Sequence, residues 1–409
     1  MKRTEFYEVA VKSGFYGIET SGLSGKKDNV RKYWEDTFIR VAVRSAIQDL
    51  VASREGLRII DLGSGSGEGY DLLTHIPPSH PVKSSDPFVV REDQIRVYEG
   101  VDISPGMVAQ GRANYQGKPN VRFMEADLSK GFLRQDEPPY DVYFSSYCSL
   151  SHLSQVGLER LSTQLLAHAG KGSIIVYDVY GRCSPEWPGY WNRTAAHPLP
   201  YTMAYLLPLE QQDPVKIDWF PVTFWSGEEL ERTIRRAAVA TGKTISVLVR
   251  KDRSVLVGRH MDTALFKPQR LQLRTQVNRL FDRGYRGDVE GMRPDVAYLD
   301  KERQEHPDAW ARIFAYYRQW IAVVDVLEAL MQDANDVVKQ VIESSEGGLS
   351  EELKMLAWLY RNADRFPVSD FWASVMGPQV ACVLRNLEYN LPDGIGCGHS
   401  LLCVVRVDE

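Results

Sequence analysis

Cysteine is scarce in this chain. The five cysteines among 409 residues, Cys148, Cys183, Cys382, Cys397 and Cys403, are odd in number and include no C-x-x-C pair, which argues against a disulfide framework or a structural zinc site. The eight histidines include no pair at helical i, i+4 spacing, so the zinc-protease motif is absent and no metal is expected. No window holds 18 consecutive apolar residues, and Met1-Lys2-Arg3 runs straight into Thr4, Glu5 and Tyr7. The expectation is a cytoplasmic protein without an export signal or a membrane span. Positive charge is not in surplus either: 49 basic against 54 acidic residues leave a net charge of −5, and no basic stripe forms. Nucleic acid is therefore not an expected partner.

What is present is ordinary globular material, 44% hydrophobic and 25% charged, enough to bury a large core. At roughly 100–200 residues per domain, the length implies two units or one elaborated one. Residues 29–53 read as an amphipathic helix with Asp28 as N-cap and Val30, Trp34, Phe38 and Val41 at helical spacing. The period then changes. Short apolar runs at 57–62, 96–103, 121–126, 140–145 and 172–178 read as buried strands, and 105–115 and 155–169 between them as helices. Strand and helix alternating in this way build parallel βαβ units.

After Asp178 comes an aromatic, proline-rich stretch over 180–225 with no clear period, read as a lid. A helix over 226–241 follows, with Ser226 and Glu229 forming a capping box. Residues 244–250 and 254–259 read as a β-hairpin turning at Lys251-Asp252-Arg253. Beyond 267 the pattern is helical, at 268–282, 307–343, 350–364 and 368–391, before a final strand at 400–407. On the long 307–343 helix, Ile313, Tyr317, Ile321, Val324, Leu327 and Met331 mark one apolar face.

The first strand ends in Asp61-Leu62-Gly63-Ser64-Gly65-Ser66-Gly67. Glycines let a backbone turn sharply and approach a ligand, and the start of the next helix presents free N–H groups. A dinucleotide G-x-G-x-x-G fails in both frames, since Glu68 or Tyr70 stands at the third glycine. A P-loop at Gly242-Lys243-Thr244 fails because Ala237 replaces its first glycine and a strand follows rather than precedes it. The pattern acidic-x-G-x-G-x-G is met without a gap by Asp61, Gly63, Gly65 and Gly67.

With this motif, over roughly residues 57–260, the sequence resembles the class I S-adenosylmethionine-dependent methyltransferases. The resemblance implies an α/β fold with a doubly wound, seven-stranded, mostly parallel, Rossmann-like sheet, to which a C-terminal, mainly helical domain is added. The expected division is an N-terminal helical cap at 1–56, the cofactor domain at 57–262 with the lid inserted, and the helical domain at 263–409. S-adenosylmethionine is the implied cofactor. Asp61 and the loop Gly63, Ser64, Gly65 and Gly67 inherit the methionine moiety. Asp102, followed by Ile103, inherits the ribose hydroxyls, with Glu99 as the alternative acid; it lies 41 positions after Asp61, the excess over a plain βαβ unit being accounted for by a loop insertion at 77–95. Asp127 and Leu128 inherit the adenine, with a cap on the next turn as the lesser alternative for Asp127. Ser145, Ser146 and Tyr147 are expected near the sulfonium.

Methyl transfer is an in-line displacement in which positioning and desolvation do much of the work, and a base is optional. The catalytic candidates are Tyr147, His152 after the fourth strand, and Asp178 at the end of the fifth, because strand carboxyl ends are where such sheets bind ligands. His152 also suits a backbone-bonded helix start, and Asp178 a helix cap. Trp187, Tyr190, Trp191, Tyr201, Tyr205, Trp219, Phe220, Phe224 and Trp225 either clamp a substrate or pack the lid on itself, and His197 among them is a further candidate base. Phe6, Tyr7, Phe15 and Tyr16 are placed as a cover over the cofactor, and Trp34 as core.

The expected activity is methyl transfer to nitrogen or oxygen of a small molecule. Its alternatives are another use of the cofactor, by cyclisation or aminocarboxypropyl transfer with release of methylthioadenosine, and a non-catalytic binding module. The helical tail is expected either to enclose substrate or to form a homodimer through the 307–343 helix.

Overall fold

A computed structural model describes residues 28–80, 86–285 and 288–409, with 11 and 84 as isolated positions. The aromatic cover expected from Phe6, Tyr7, Phe15 and Tyr16 lies outside the described residues.

The apolar runs form the strands β1 (Leu57–Leu62), β2 (Ile95–Asp102), β3 (Val121–Glu125), β4 (Val142–Phe144) and β5 (Ile174–Gly181). They are nearly continuous in Ile, Val, Leu and aromatics because helices cover both faces of a parallel sheet; all eight residues of β5 are buried. Two short antiparallel strands, β6 (Leu199–Tyr201) and β7 (Phe220–Val222), and the two-residue β8 (Phe224–Trp225) belong to the lid. β9 (Ile245–Arg253) and β10 (Ser400–Val407) complete the main sheet, ordered β3-β2-β1-β4-β5-β10-β9. β10 runs antiparallel to both neighbours and the pairs among β1 to β5 are parallel. The carboxyl ends of β1 to β5 and β9 therefore meet the amino end of β10 along one edge.

The hairpin expected at 244–259 does not form. β9 continues through Lys251, Asp252 and Arg253, and Ser254, at φ +59°, ends it. The polar triplet looks like a turn but is held by distant partners. Asp252 accepts the backbone N–H groups of Ile395, Gly396 and Cys397 at 3.0, 2.8 and 3.0 Å. Arg253 donates to Asp178 at 2.7 Å. The partner strand of β9 is β10, so the helical segment after 263 is inserted between two strands of the sheet rather than appended, and 400–407 belongs to the sheet.

The insertion carries the helices Leu273–Arg279, Pro307–Met331, Asn335–Ser344, Gly348–Arg361 and Gly377–Tyr389. The helix expected over 307–343 breaks at Asp333, which adopts φ +56°. Of its expected apolar face, Ile313, Val324 and Leu327 are sealed inside the chain's own helical core with Trp320, Leu353 and Val380. The capping box of the helix Gly227–Thr241 forms, Ser226 Oγ accepting from Glu229 N at 3.2 Å and Glu229 Oε2 from Ser226 N at 3.2 Å.

The N-terminal helix ties the two parts together. Its first turns, Val30–Asp36, are π-helical and run into the α-helix Thr37–Ser53. Val30 and Trp34 sit in the helical core, whereas Ile39, Val43 and Ile47 pack against the sheet. Trp34 is core, as expected, and its indole N–H donates to Glu388 at 2.8 Å. Among the described residues no helix is long and apolar enough to cross a membrane.

Candidate active site

The sheet edge opens into a cavity of about 700 Å³, a size suited to a small ligand. Its floor is the glycine turn. Gly65 (φ +54°) and Gly67 (φ +99°) both occupy backbone conformations that disfavour a side chain, for different uses. A Cβ on Gly67 would stand 2.5 Å from the Tyr115 ring and 2.7 Å from the Phe123 ring, so this glycine lets the loop pack on the domain. A Cβ on Gly65 would meet nothing within 4 Å; it would project into open space, leaving a bare backbone cradle. Gly63 packs on Ser149, whose hydroxyl donates to the Gly63 carbonyl at 2.8 Å.

Asp102 stands at the end of β2 beside this cradle. Its carboxylate accepts Gly65 N and Ser104 N, both at 2.9 Å, so it shapes the loop while it lines the cavity. Glu99, the alternative acid, is buried in β2 and occupied by Tyr140, Arg122 and Arg134. Asp127 has both a cap role and a place on the cavity wall. It caps the short turn Leu128–Lys130 by accepting Ser129 N at 3.0 Å, and it lines the cavity with Ile103 and Leu128.

Asp61 lies beneath the loop rather than on the cavity wall. Tyr98 donates to it at 2.5 Å, and burial pushes its carboxyl up to about 7, against the hydrogen bond from Tyr98. Gly67 and Ser145 are likewise behind the wall; the Ser145 side chain is fully buried.

After β4, Tyr147 and Cys148 carry consecutive positive φ angles of 56° and 63°, the backbone strain that collects at functional sites. The strain is held by a charged cluster. Asp178 accepts Tyr147 N at 2.7 Å, and the Tyr147 hydroxyl donates to Asp36. The guanidinium of Arg31 lies over the Tyr147 ring and pairs with Glu68. Arg253 joins Asp178 at 2.7 Å and Glu35 at 3.6 Å. Glu35 also meets Arg259 at 3.1 Å and Arg274 at 2.8 Å. Burial alone would raise the Glu35 carboxyl, but Arg274, Arg259 and Arg253 hold it well below the usual range.

The three catalytic candidates therefore separate. Tyr147 lines the cavity with its hydroxyl engaged by Asp36, and burial raises its pKa well above the usual tyrosine range. Asp178 is not on the wall; it positions Tyr147 and Arg253 from behind. His152 lines the cavity, stacked on Phe220 at 5.5 Å between ring centroids, and burial pulls its imidazole down to about 4.

Most lid aromatics pack on one another: Trp187, Tyr201 and Phe224 form a buried cluster with Tyr180 and Phe220. Of the nine, Tyr205 and Phe220 reach the cavity, and His197 is exposed away from it. Arg31, Arg253, Arg259 and His399 also line it, and sequence reasoning missed all four. They arrive from the N-terminal helix, the end of β9, the loop after it and the start of β10, with no local motif to mark them.

Residues 90–172 match a family described as a methyltransferase domain, a stretch that spans β2 to β4 and the helix Gln155–His168. None of the curated proteins matches the chain. Among solved structures, it is similar to an S-adenosylmethionine-dependent methyltransferase from Mesorhizobium loti, at 18% identity over 51% of this chain and 85% of that one, with a TM-score of 0.33. It is similar to another from Clostridium acetobutylicum at 11% identity, over 55% and 87%, with a TM-score of 0.34. A third is S-adenosylmethionine-bound CalS10, an amino pentose methyltransferase from Micromonospora echinaspora, at 14% identity, over 61% and 93%, with a TM-score of 0.33. The methyltransferase-domain match lies across the middle of the sheet, beside the acidic glycine motif that ends its first strand, so the chain carries a methyltransferase domain.

Proposed function

We propose that the chain transfers the methyl group of S-adenosylmethionine to a nitrogen or oxygen of a small molecule. The observation that carries this reading is one cavity shared by the bare cradle at Gly65, the carboxylates of Asp102 and Asp127, and the lid residues Tyr205 and Phe220. One end suits the cofactor. The loop from Gly63 to Gly67 holds the methionine portion, Asp102 accepts the ribose hydroxyls with Ile103 beside it, and Asp127 and the Leu128 backbone take the adenine. Asp61 acts from below by bracing the loop.

The cofactor supplies an electrophilic methyl on a sulfonium. This chain's residues orient the acceptor in line with it and exclude water, with Tyr147 fixing the strained segment between the two halves. The acceptor end is walled by Tyr180, Met203, Tyr205 and Phe220, surfaces that suit a compact, partly aromatic molecule better than a polymer.

The test is incubation of the full chain with S-adenosylmethionine and a deproteinised small-molecule extract, read by mass spectrometry. S-adenosylhomocysteine together with a methylated metabolite is the expected outcome. Methylthioadenosine would instead mark attack at the other carbon of the sulfonium and overturn methyl transfer.

A further inference from the structure

Two groups far apart in the chain meet at the acceptor end of the cavity. His399 immediately precedes β10, whose first residue, Ser400, pairs with Tyr180 of β5 and with Arg253 of β9. Its backbone is pinned on both sides: the carbonyl accepts Gly181 N at 3.3 Å, and the N–H donates to Ser254 O at 3.1 Å. The imidazole lines the cavity. Its Nδ1 lies 2.7 Å from Glu186 Oε2, and its Nε2 makes no hydrogen bond among the described residues. Tyr180 and Trp187 flank the ring at 5.4 and 5.5 Å between centroids, which fixes its orientation.

Glu186 is fully buried and equally constrained. It accepts the backbone N–H of His260 and the Ser184 hydroxyl, and Gly258 packs so closely that any side chain there would strike the carboxylate. Burial would raise the Glu186 carboxyl, but His399 leads the interactions that hold it below the usual value. A carboxylate fixed on Nδ1 sets the tautomer, leaving Nε2 as the acceptor, and stabilises the ring once protonated. The other two histidines near the lid do not offer this. His152 is held neutral by burial, and His260 uses both ring nitrogens, with Thr263 and the Thr202 carbonyl.

The lining is the second observation. Its acidic residues are Asp102 and Asp127, both assigned to the cofactor, so among the described residues the lining carries no other carboxylate to hold a protonated amine. Arg259, which donates to the Tyr205 hydroxyl at 3.2 Å, and Arg253 also line the cavity, each already paired with Glu35 and Arg253 with Asp178 as well.

We propose that His399, oriented by Glu186, is the general base for a hydroxyl acceptor, so that oxygen is the atom methylated. This rests on the methyl-transfer reading. As the acceptor oxygen bonds to the methyl carbon, the carbon–sulfur bond breaks with its electron pair remaining on sulfur, and the hydroxyl proton passes to Nε2 of His399. The imidazolium is paired with Glu186 and returns its proton to water after the product leaves. His399 is a catalytic residue; Glu186 is a positioning residue that acts through it.

The experiment has two arms on the full chain. In the first, histidine side chains labelled with nitrogen-15 are observed by NMR with S-adenosylhomocysteine present, and the His399 signals are assigned by their loss in His399→Gln. Glu186→Gln is expected to move the His399 Nδ1–H proton resonance upfield, since it replaces the charge-assisted hydrogen bond with a neutral one; an unchanged resonance overturns the dyad whether or not any acceptor has been found. In the second, methyl transfer from S-adenosylmethionine into the deproteinised extract is compared. His399→Gln is expected to lose about 100-fold in rate, in line with the usual worth of a general base, while binding S-adenosylhomocysteine within threefold of the parent. A rate within threefold of the parent, or methylation found on nitrogen, overturns the assignment and leaves methyl transfer standing. If the parent chain itself does not bind S-adenosylhomocysteine, the underlying reading fails instead, and the two failures are told apart.

Discussion

Alanine at Gly65 and alanine at Gly67 should damage the protein in different ways, and the difference tests whether the turn is a ligand cradle or only a bend. Both sites have positive φ, so an added Cβ costs about 1–2 kcal/mol in backbone strain at either. At Gly67 the new methyl also collides with the rings of Tyr115 and Phe123 at 2.5 and 2.7 Å; overpacking of this kind adds about 1–3 kcal/mol, for a total of about 2–5 kcal/mol. At Gly65 nothing lies within 4 Å, so strain alone acts on the free protein. The methyl instead enters the volume assigned to the cofactor, where a loss of about 1.4 kcal/mol is a tenfold loss of affinity. Urea unfolding measures the first effect, and calorimetric titration with S-adenosylhomocysteine the second. Gly65→Ala should be the more stable variant and bind at least tenfold more weakly than the parent. Parent-like affinity in Gly65→Ala, or equal destabilisation of the two variants, would refute the reasoning.

Two buried carboxylates give further predictions. Burial raises Glu388 to about 7, so the folded chain holds that proton more tightly than the unfolded one, and the group's contribution to stability falls as pH rises from about 4.3 through 7, by up to about 3 kcal/mol. Glu388→Gln should therefore gain in melting temperature relative to the parent between pH 5 and pH 8; a difference independent of pH would refute this. Glu35 has the opposite sign. It is buried among Arg253, Arg259 and Arg274, and Glu35→Gln leaves those guanidinium groups short of charge, at a cost of about 3–5 kcal/mol in urea unfolding at pH 7. A cost below about 1 kcal/mol would show that the cluster does not depend on it.

Much of the sheet is legible in the sequence because buried parallel strands must be apolar throughout and the glycine turn must follow the first of them. The same logic exposes the floor of the site, since Gly63, Gly65, Asp102 and Asp127 sit at strand ends within recognisable motifs. The misreadings have one physical source, partners remote in sequence. Lys251-Asp252-Arg253 looks like a turn until Asp252 meets the 395–397 backbone and Arg253 meets Asp178. Asp178 looks like a base for the same reason, its partners Tyr147 N and Arg253 being invisible to local pattern. The break at Asp333 carries no proline or glycine to announce it. The opposite wall of the site is the least legible. His399 and Glu186 are 213 positions apart, and the insertion of β10 between β5 and β9 brings His399 to the cavity wall with Glu186 behind it.

The central claim is that the cavity at this sheet edge binds the cofactor through the cradle and Asp102. Its most direct measurement is calorimetric titration of S-adenosylhomocysteine into the parent chain and into Asp102→Ala. Two hydrogen bonds to a charged carboxylate are worth about 1.5–3 kcal/mol each, so the account predicts saturable one-to-one binding to the parent and an affinity at least 100-fold weaker in the variant. No binding to the parent, or equal binding to both, would contradict it.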